Sequence, residues 1–478
     1  MNFKTQDNGI PSKYQLCPQR RGRYTLVAII FVLGGCSLSP DYIRPNVAIP
    51  AWRGAENSPT IRIAADWWSS FGSSELDTLM EQALAYNNNL QASLHRVEQA
   101  RADVQMAGAS LLPSASIAAT TMNGPVQAFN ITDRRNKDVP AVTLDGGISY
   151  ELDLFGANRA NADAAQAGLF GAQYAYDALA LIVMGDIAQG YFNVLNLRER
   201  EQIAQNNLNS VRDTSRLIED RFQIGARTGL DIAQQKAVLS NTEAELATIE
   251  QQLAIAQNVL AVLVGETPQT FSVSTHSLNS IIIPPLAVLQ PAELLQRRPD
   301  IRSAEADLIA ANADIGAVRA AFYPKINLGA NLLAAFNPAA TTLAVTAALD
   351  APFFQGGRLE GRLNRAKARQ AELAENYQQT VLVSFREAED ALARVKTTQK
   401  REEALNRSAA TAREAYNIAQ KQYNLSVLDF QQSLDAQRLM LQADDAYARA
   451  RFETIAARID VFKAMGGGWN EVGEKEQY

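Results

Sequence analysis

The chain has 478 residues, of which 47% are hydrophobic and 20% charged, with a formal net charge of −6, 2 histidines and 2 cysteines. The acidic balance excludes a protein that grips nucleic acid through its phosphates. With only His95 and His276, and with no zinc spacing, phosphate loop or nucleophile elbow, the chain reads as a non-enzyme without cofactor or metal; its many carboxylates read as solvated helix faces.

The first predicted element is a leader. Arg20, Arg21 and Arg23 precede the apolar run TLVAIIFVL, Thr25 to Leu33, which opens into GGCSLSP. A spanning helix needs about 20 apolar residues and this run is roughly half that, so residues 1–35 read as a signal peptide. The order Leu33-Gly34-Gly35-Cys36 resembles a bacterial lipobox, in which Cys36 becomes the acylated first residue of the mature chain, 36–478. The alternative is that Cys36 is an ordinary small residue near a cleavage site. Several acyl chains on one cysteine make a stable anchor where one is marginal, and Ser37 after it favours outer-membrane sorting by the same resemblance. Removing a leader of charge +4 from −6 leaves the mature chain at −10.

The rest of the chain repeats itself. QARADVQMAGASLLPSASI, Gln99 to Ile117, lies 211 residues before AANADIGAVRAAFYPKINL, and Pro113 falls on Pro324. LDLFGANR, Leu152 to Arg159, lies 199 residues before APFFQGGR, and FQIGARTGLDIAQQKA, Phe222 to Ala237, lies 201 residues before YNLSVLDFQQSLDAQR. One domain of two halves is expected, about 76–267 and 292–465, with the N-terminal segment, the middle linker and the C-terminus outside them. After Pro113 the period switches to two: in VTLDGGISYELD, Val142, Leu144, Ile148, Tyr150 and Leu152 share a face opposite Thr143, Asp145, Ser149, Glu151 and Asp153. KINLGANLLAAF and the stretch 342–352 alternate likewise, which predicts four strands of about ten residues, the length of a membrane barrel strand. A soluble half-buried sheet is the alternative. The stretch 123–140 between the first two strands reads as an exposed loop.

All 17 prolines avoid two windows, 141–267 and 353–478. Proline costs a helix interior about 3 kcal/mol, so each window is a place for long helices. A helix from near Gly156 to near Gly225 would be about 100 Å long, too long for a globular core, and coiled-coil-like packing is expected. Four strands cannot close a membrane barrel and open edges are not tolerated in lipid, so several copies must assemble.

DWWSSFGSSELDTLMEQALAYNNNL (Asp66 to Leu90), ELDLFGANR, RRPDIRSAEADLIAANADIGAVRAAFYPKI (Arg297 to Ile326), SLDAQR and MGGGW (Met465 to Trp469) resemble the outer-membrane efflux lipoproteins of the TolC and OprM type, across nearly the whole mature chain. The resemblance implies an α+β membrane protein. It would be a homotrimer whose β-barrel takes four strands from each chain, continued by a long α-helical periplasmic barrel with an equatorial belt, lipid-anchored in the cell outer membrane. It further implies a periplasmic adaptor and an inner-membrane pump of the resistance-nodulation-division type as partners, together with outer-membrane lipids. The function implied is the passive exit duct of a tripartite efflux pump. A protein-secretion exit channel and a periplasmic coiled-coil spacer lipoprotein are the alternatives.

RRPDI reads as a helix start, with Pro299 in the first turn, Asp300 facing the positive helix end, and Arg297 and Arg298 structural. The glycine of LDLFG permits the turn from strand into helix, and Gly466 to Gly468 end the last helix, with Trp469 on the belt. In channels of the family the periplasmic helix tips coil inward and a ring of aspartates forms the constriction. The resemblance carries this role to Asp435, with Asp231 and Tyr423 beside it and Asp429 as a further candidate. The chain departs from the family motif at Ser426 and Gln432. The alternative for Asp435 is a solvated helix residue.

Overall fold

The computed structural model describes residues 38–53, 64–122, 141–275, 277–278, 281–286, 288–336, 340–425 and 427–467. The leader, Cys36, the loop 123–140 and Trp469 lie outside the described residues. A single 3₁₀ turn, Trp67–Phe71, leads into helices α1 (Ser74–Tyr86) and α2 (Asn88–Ala109), then strands β1 (Ser114–Met122) and β2 (Ala141–Leu152). Helices α3 (Ala157–Gln223) and α4 (Gly229–Val264) follow, then the short α5 (Pro291–Arg297) and α6 (Pro299–Ala320). Strands β3 (Lys325–Phe336) and β4 (Ala340–Asp350) and helices α7 (Arg358–Asn424) and α8 (Phe430–Ala464) complete the chain. The order helix, two strands, two long helices therefore occurs twice, and the proline-free windows hold α3 with α4 and α7 with α8.

The chain divides into two compact units. One joins the described residues of Gly108–Asn161 and Asp314–Leu363 with residues 38–40. Its sheet has the order β1-β2-β3-β4, antiparallel throughout. The register places Leu144 opposite Ala334, Gly146 opposite Leu332, and Leu332 opposite Leu343, so one face is apolar from edge to edge. Ile117, Ile148, Leu332, Leu343, Val345 and Leu349 stand exposed on that face. The other face carries Ser116, Asp145, Glu151, Lys325, Asn331 and Asp350, with Lys325 Nζ 3.0 Å from Glu151 Oε1. A soluble sheet would bury the apolar face; here it is bare, and it suits lipid on one side with water on the other. At the end of β2, Gly156 takes φ +74, a conformation open to glycine, and the Asp153 carboxylate accepts from the Asn158 and Arg159 amides at 3.1 and 2.9 Å to start α3.

The second unit comprises the described residues of Asp41–Ala107 and Ala162–Ala313 and those from Asn364 to 467. Its main core is aromatic, with Trp67 stacked on Phe462 at 5.0 Å and Phe71 against Phe192 at 5.0 Å. Arg44 grips Glu305 through two hydrogen bonds of 2.6 and 2.7 Å, which holds the N-terminal segment on α6. Pro299 does open α6, as its place in RRPDI predicts, and α8 stops just before Gly466 at φ +70.

Glu75 in the first turn of α1 illustrates how the linker is tied down. Its carboxylate accepts from Ser274 Oγ at 2.8 Å, from the Thr275 amide at 3.1 Å and from the Tyr191 hydroxyl at 3.1 Å. Burial would raise its pKa, yet hydrogen bonds from Ser274 and Thr275 outweigh it and hold the group at about 2. A carboxyl with a depressed folded pKa stabilises the fold above its unfolded value, about 4.3, and loses that contribution as pH falls toward 2. Glu75→Gln is expected to melt earlier than the parent at pH 7 and to show a smaller drop in Tm between pH 5 and 2. Parallel melting curves for the two proteins across that range would show that the carboxylate contributes nothing.

Candidate functional site at the helical hairpin tips

Each pair of long helices is closed by a short turn, and the two turns share one backbone design. In the first, the Ala226 amide donates to Arg221 O at 2.8 Å while Gly225 sits at φ +74; in the second, 201 residues on, the Val427 amide donates to Gln422 O at 2.9 Å. This reach back over five residues ends a helix by satisfying one of its last carbonyls. Ser426, the counterpart of Gly225, lies outside the described residues. The next helix then starts on a side-chain cap. Thr228 Oγ1 accepts from the Asp231 amide at 3.3 Å and Asp231 Oδ2 accepts from the Thr228 amide at 2.9 Å, a reciprocal box. In the second turn Asp429 Oδ1 accepts from the Gln432 amide at 2.9 Å. Asp231 and Asp429 therefore have a local task, starting α4 and α8, whatever else they do.

Tyr423 is buried within the chain, only 3% exposed. Its ring lies between two guanidinium groups of the other tip, Arg221 at 4.8 Å and Arg227 at 4.9 Å, with the Phe430 ring at 5.9 Å. Val211, Ile218, Val238 and Leu434 pack in the same cluster, so both tips share one small core. Cation–π contacts of this kind contribute about 0.5–2 kcal/mol each. The Tyr423 hydroxyl is buried with no hydrogen-bond partner among the described residues. Further along the helices, Tyr416 OH takes bonds from Gln420 at 3.4 Å and Gln437 at 3.3 Å and meets Ser210 Oγ at 3.3 Å. A polar cavity of about 430 Å³ lies here, lined by Asn209, Asp213, Tyr416, Tyr423 and Gln437 among others.

Asp435 stands one turn and a half into α8 with a side chain 59% exposed, 3.2 Å from Gln431 Nε2 and 3.6 Å from Arg438 Nη1. Leu434 beside it is buried in the shared cluster, so the carboxylate emerges at the rim of the tip core. Asp435, Asp231 and Asp429 are thus all brought to the tips, each on its own support, while Tyr423 holds the tips together from below. Ile224, Leu230, Leu425 and Val427 stand exposed on the turns. The sequence reading missed Arg221 and Arg227: arginines either side of a glycine turn follow no rule that points to a tyrosine about 200 residues away. It also missed the Thr228 box, although T-x-x-D is a readable cap signal. Among the described residues, no group of three or more His, Cys, Asp or Glu side chains could hold a metal ion.

The family described as outer membrane efflux protein matches residues 79–266 and 291–467. The chain belongs to the outer membrane efflux protein family. It is similar to the pyoverdine export outer membrane protein OpmQ of Pseudomonas aeruginosa, with 33% identity over 463 residues covering 93% of this chain and 96% of that protein. It is also similar to the cation efflux system protein CusC of Escherichia coli K12, with 28% identity over 457 residues covering 92% and 98%. The solved open state of the MtrE outer membrane channel of Neisseria gonorrhoeae superposes with a TM-score of 0.81 at 27% identity, covering 91% of this chain and 98% of that one. As a member of the outer membrane efflux protein family, the chain is an outer-membrane channel with a periplasmic helical tunnel. It works as a trimer and is the exit duct of an efflux system, joined to a periplasmic adaptor and an inner-membrane pump.

Proposed function

We propose that this efflux duct carries small solutes, that it rests closed at its hairpin tips, and that Asp435 from each of the three chains supplies a ring of negative charge at the closure. The placement of Asp435 carries the reading: a largely exposed carboxylate at the edge of the core that joins the two tips. Three such groups about 7 Å apart repel by about 2 kcal/mol per pair at an effective dielectric near 20, so the ring gathers cations and resists complete closure while ionised. Asp231 and Asp429 add charge nearby while capping their helices. Relatives that export pyoverdine or cations favour small solutes over secreted proteins as cargo. The chain is a conduit without catalysis of its own, two repeats with a surrounding belt, held to the membrane also through acylated Cys36.

The test is single-channel conductance of the purified trimer in a planar bilayer. Wild type is expected to show a small, cation-preferring conductance, and Asp435→Ala a larger conductance with weaker cation preference. Equal conductance and selectivity in both proteins would remove Asp435 from the gate.

A further inference from the structure

The polar cavity near the tips holds groups that the repeated backbone does not require. Helix α3 lines one wall and α7 with α8 the other, and its volume of about 430 Å³ falls within the range of small-ligand sites, about 300–1,000 Å³. The floor is buried, formed by Tyr416, Tyr423, Phe430, Leu434 and Gln437, and the rim carries the exposed amides of Asn206, Asn209, Gln420 and Asn424. The shift of 201 residues that aligns the two tips sets Tyr416 on Ser215, Tyr423 on Phe222 and Gln437 on Lys236. One hairpin thus keeps the shared turn without these three groups, so the turn is not what calls for them in the other.

Two of the three are short of good partners. Tyr423 is 3% exposed and its hydroxyl has no hydrogen-bond partner among the described residues. The Tyr416 hydroxyl meets Ser210 at 3.3 Å, Gln437 at 3.3 Å and Gln420 at 3.4 Å, all beyond the ordinary range of about 2.5–3.2 Å. A ligand hydroxyl between them would relieve the cost of burying such groups. Charge narrows what that ligand is. Asp213 is the one charged residue among those lining the cavity, and it already lies 3.2 Å from Arg216. A cation finds no free carboxylate here and an anion finds no cation in the lining.

We propose that the cavity binds a neutral saccharide of one or two rings and that the bound sugar holds the two hairpins together. A sugar ring carries hydroxyls around its edge and C–H groups on its faces. Side-chain amides set a donor beside an acceptor and so match adjacent hydroxyls, while Leu217, Phe430 and Leu434 give the apolar patch for a ring face. The hold on the hairpins follows from the walls: both hairpins build the cavity, so parting them dismantles it, and a ligand that binds one arrangement alone favours that arrangement. Sugar at about nine times its Kd raises the ratio of closed to open tips about tenfold. The holding role rests on the reading that the duct rests closed at its tips; the binding site does not.

Saturation-transfer NMR on the purified full-length trimer tests the site without reference to conductance. Glucose serves as the free sugar, and chitobiose, an N-acetylated disaccharide, stands for a cell-wall glycan. Wild type is expected to transfer magnetisation to the ring protons of at least one of them, and the stronger signal tells the two sources apart. Binding to Gln437→Leu is expected to be about tenfold weaker, the loss of one buried hydrogen bond. Asn209→Ala, a change on the exposed rim that leaves the buried packing alone, is expected to weaken binding as well. No transfer to either sugar, or equal binding in all three proteins, overturns the site. Single-channel recording then tests the holding role: saturating sugar is expected to lower the resting conductance of wild type more than that of Gln437→Leu, and an equal effect on both overturns that role. A wild-type channel that stands open without sugar while sugar still binds overturns the closed resting state and leaves the site standing.

Discussion

Tyr423→Ala is expected to give the largest rise in conductance of any single change at the tips, and Tyr423→Phe almost none. Alanine removes the ring on which Arg221, Arg227 and Phe430 converge. Truncating a buried aromatic costs about 3–5 kcal/mol, and here the loss falls on a small cluster at the end of long helices, separate from the main core. Local opening of the tips, and not global unfolding, is the expected result: the trimer should survive in detergent with its melting temperature little changed while the resting conductance climbs. Phenylalanine keeps the ring beneath the two guanidinium groups and removes only a hydroxyl that has no partner among the described residues. If Tyr423→Phe opened the channel as much as Tyr423→Ala, the ring would not be what holds the tips together. Arg227→Gln should fall between the two, since one of the two cations remains.

Arg298→Ala is expected to be the most damaging change where α6, α7 and α8 meet. This buried guanidinium bonds Asp300 at 3.0 and 2.7 Å, Glu387 at 2.8 Å and the carbonyl of Ala464 at 3.1 Å. It thereby ties the start of α6 to the middle of α7 and the end of α8. Burial works against the charge, but the hydrogen bonds to Asp300 and Glu387 more than offset it and keep its pKa above the ordinary arginine value. The carboxylates left behind are 38% and 41% exposed, so water takes over part of their solvation and the cost falls below the roughly 3–5 kcal/mol of breaking a fully buried pair. The expected outcome is a lower Tm and a reduced amount of trimer in outer-membrane fractions. Arg298→Lys should recover part of the loss, since it restores the charge without the planar fork. An alanine variant within about 1 kcal/mol of wild type would show that the network adds little; most single substitutions away from such networks fall in that range.

The fold was largely legible because its strongest signals are local. Two proline-free windows announced α3 with α4 and α7 with α8, and alternation in VTLDGGISYELD and KINLGANLLAAF announced β2 and β3 with their faces. Pro299 and Gly156 marked ends that the backbone does use. The tips were legible in position and not in chemistry. Asp429 and Asp231 drew attention as charge, whereas their hydrogen bonds show them first as helix caps. Tyr423 drew attention as a gate residue beside Asp435, and the arginines over its ring come from the opposite half of the chain. Arg44 and Glu305, 261 residues apart, are likewise a contact that no local period could announce.

The two tips share a backbone turn, yet one starts its helix on Thr228 and Asp231 and the other on Asp429 alone. Three chains therefore present six ends in alternation, alike in shape and unlike in surface, so that true symmetry is three-fold and apparent symmetry six-fold. Any ring of six identical subunits that docks on all of them must accept two kinds of socket in turn. Its grip must then come from what the sockets have in common, the turn itself, and its rotational setting from what differs.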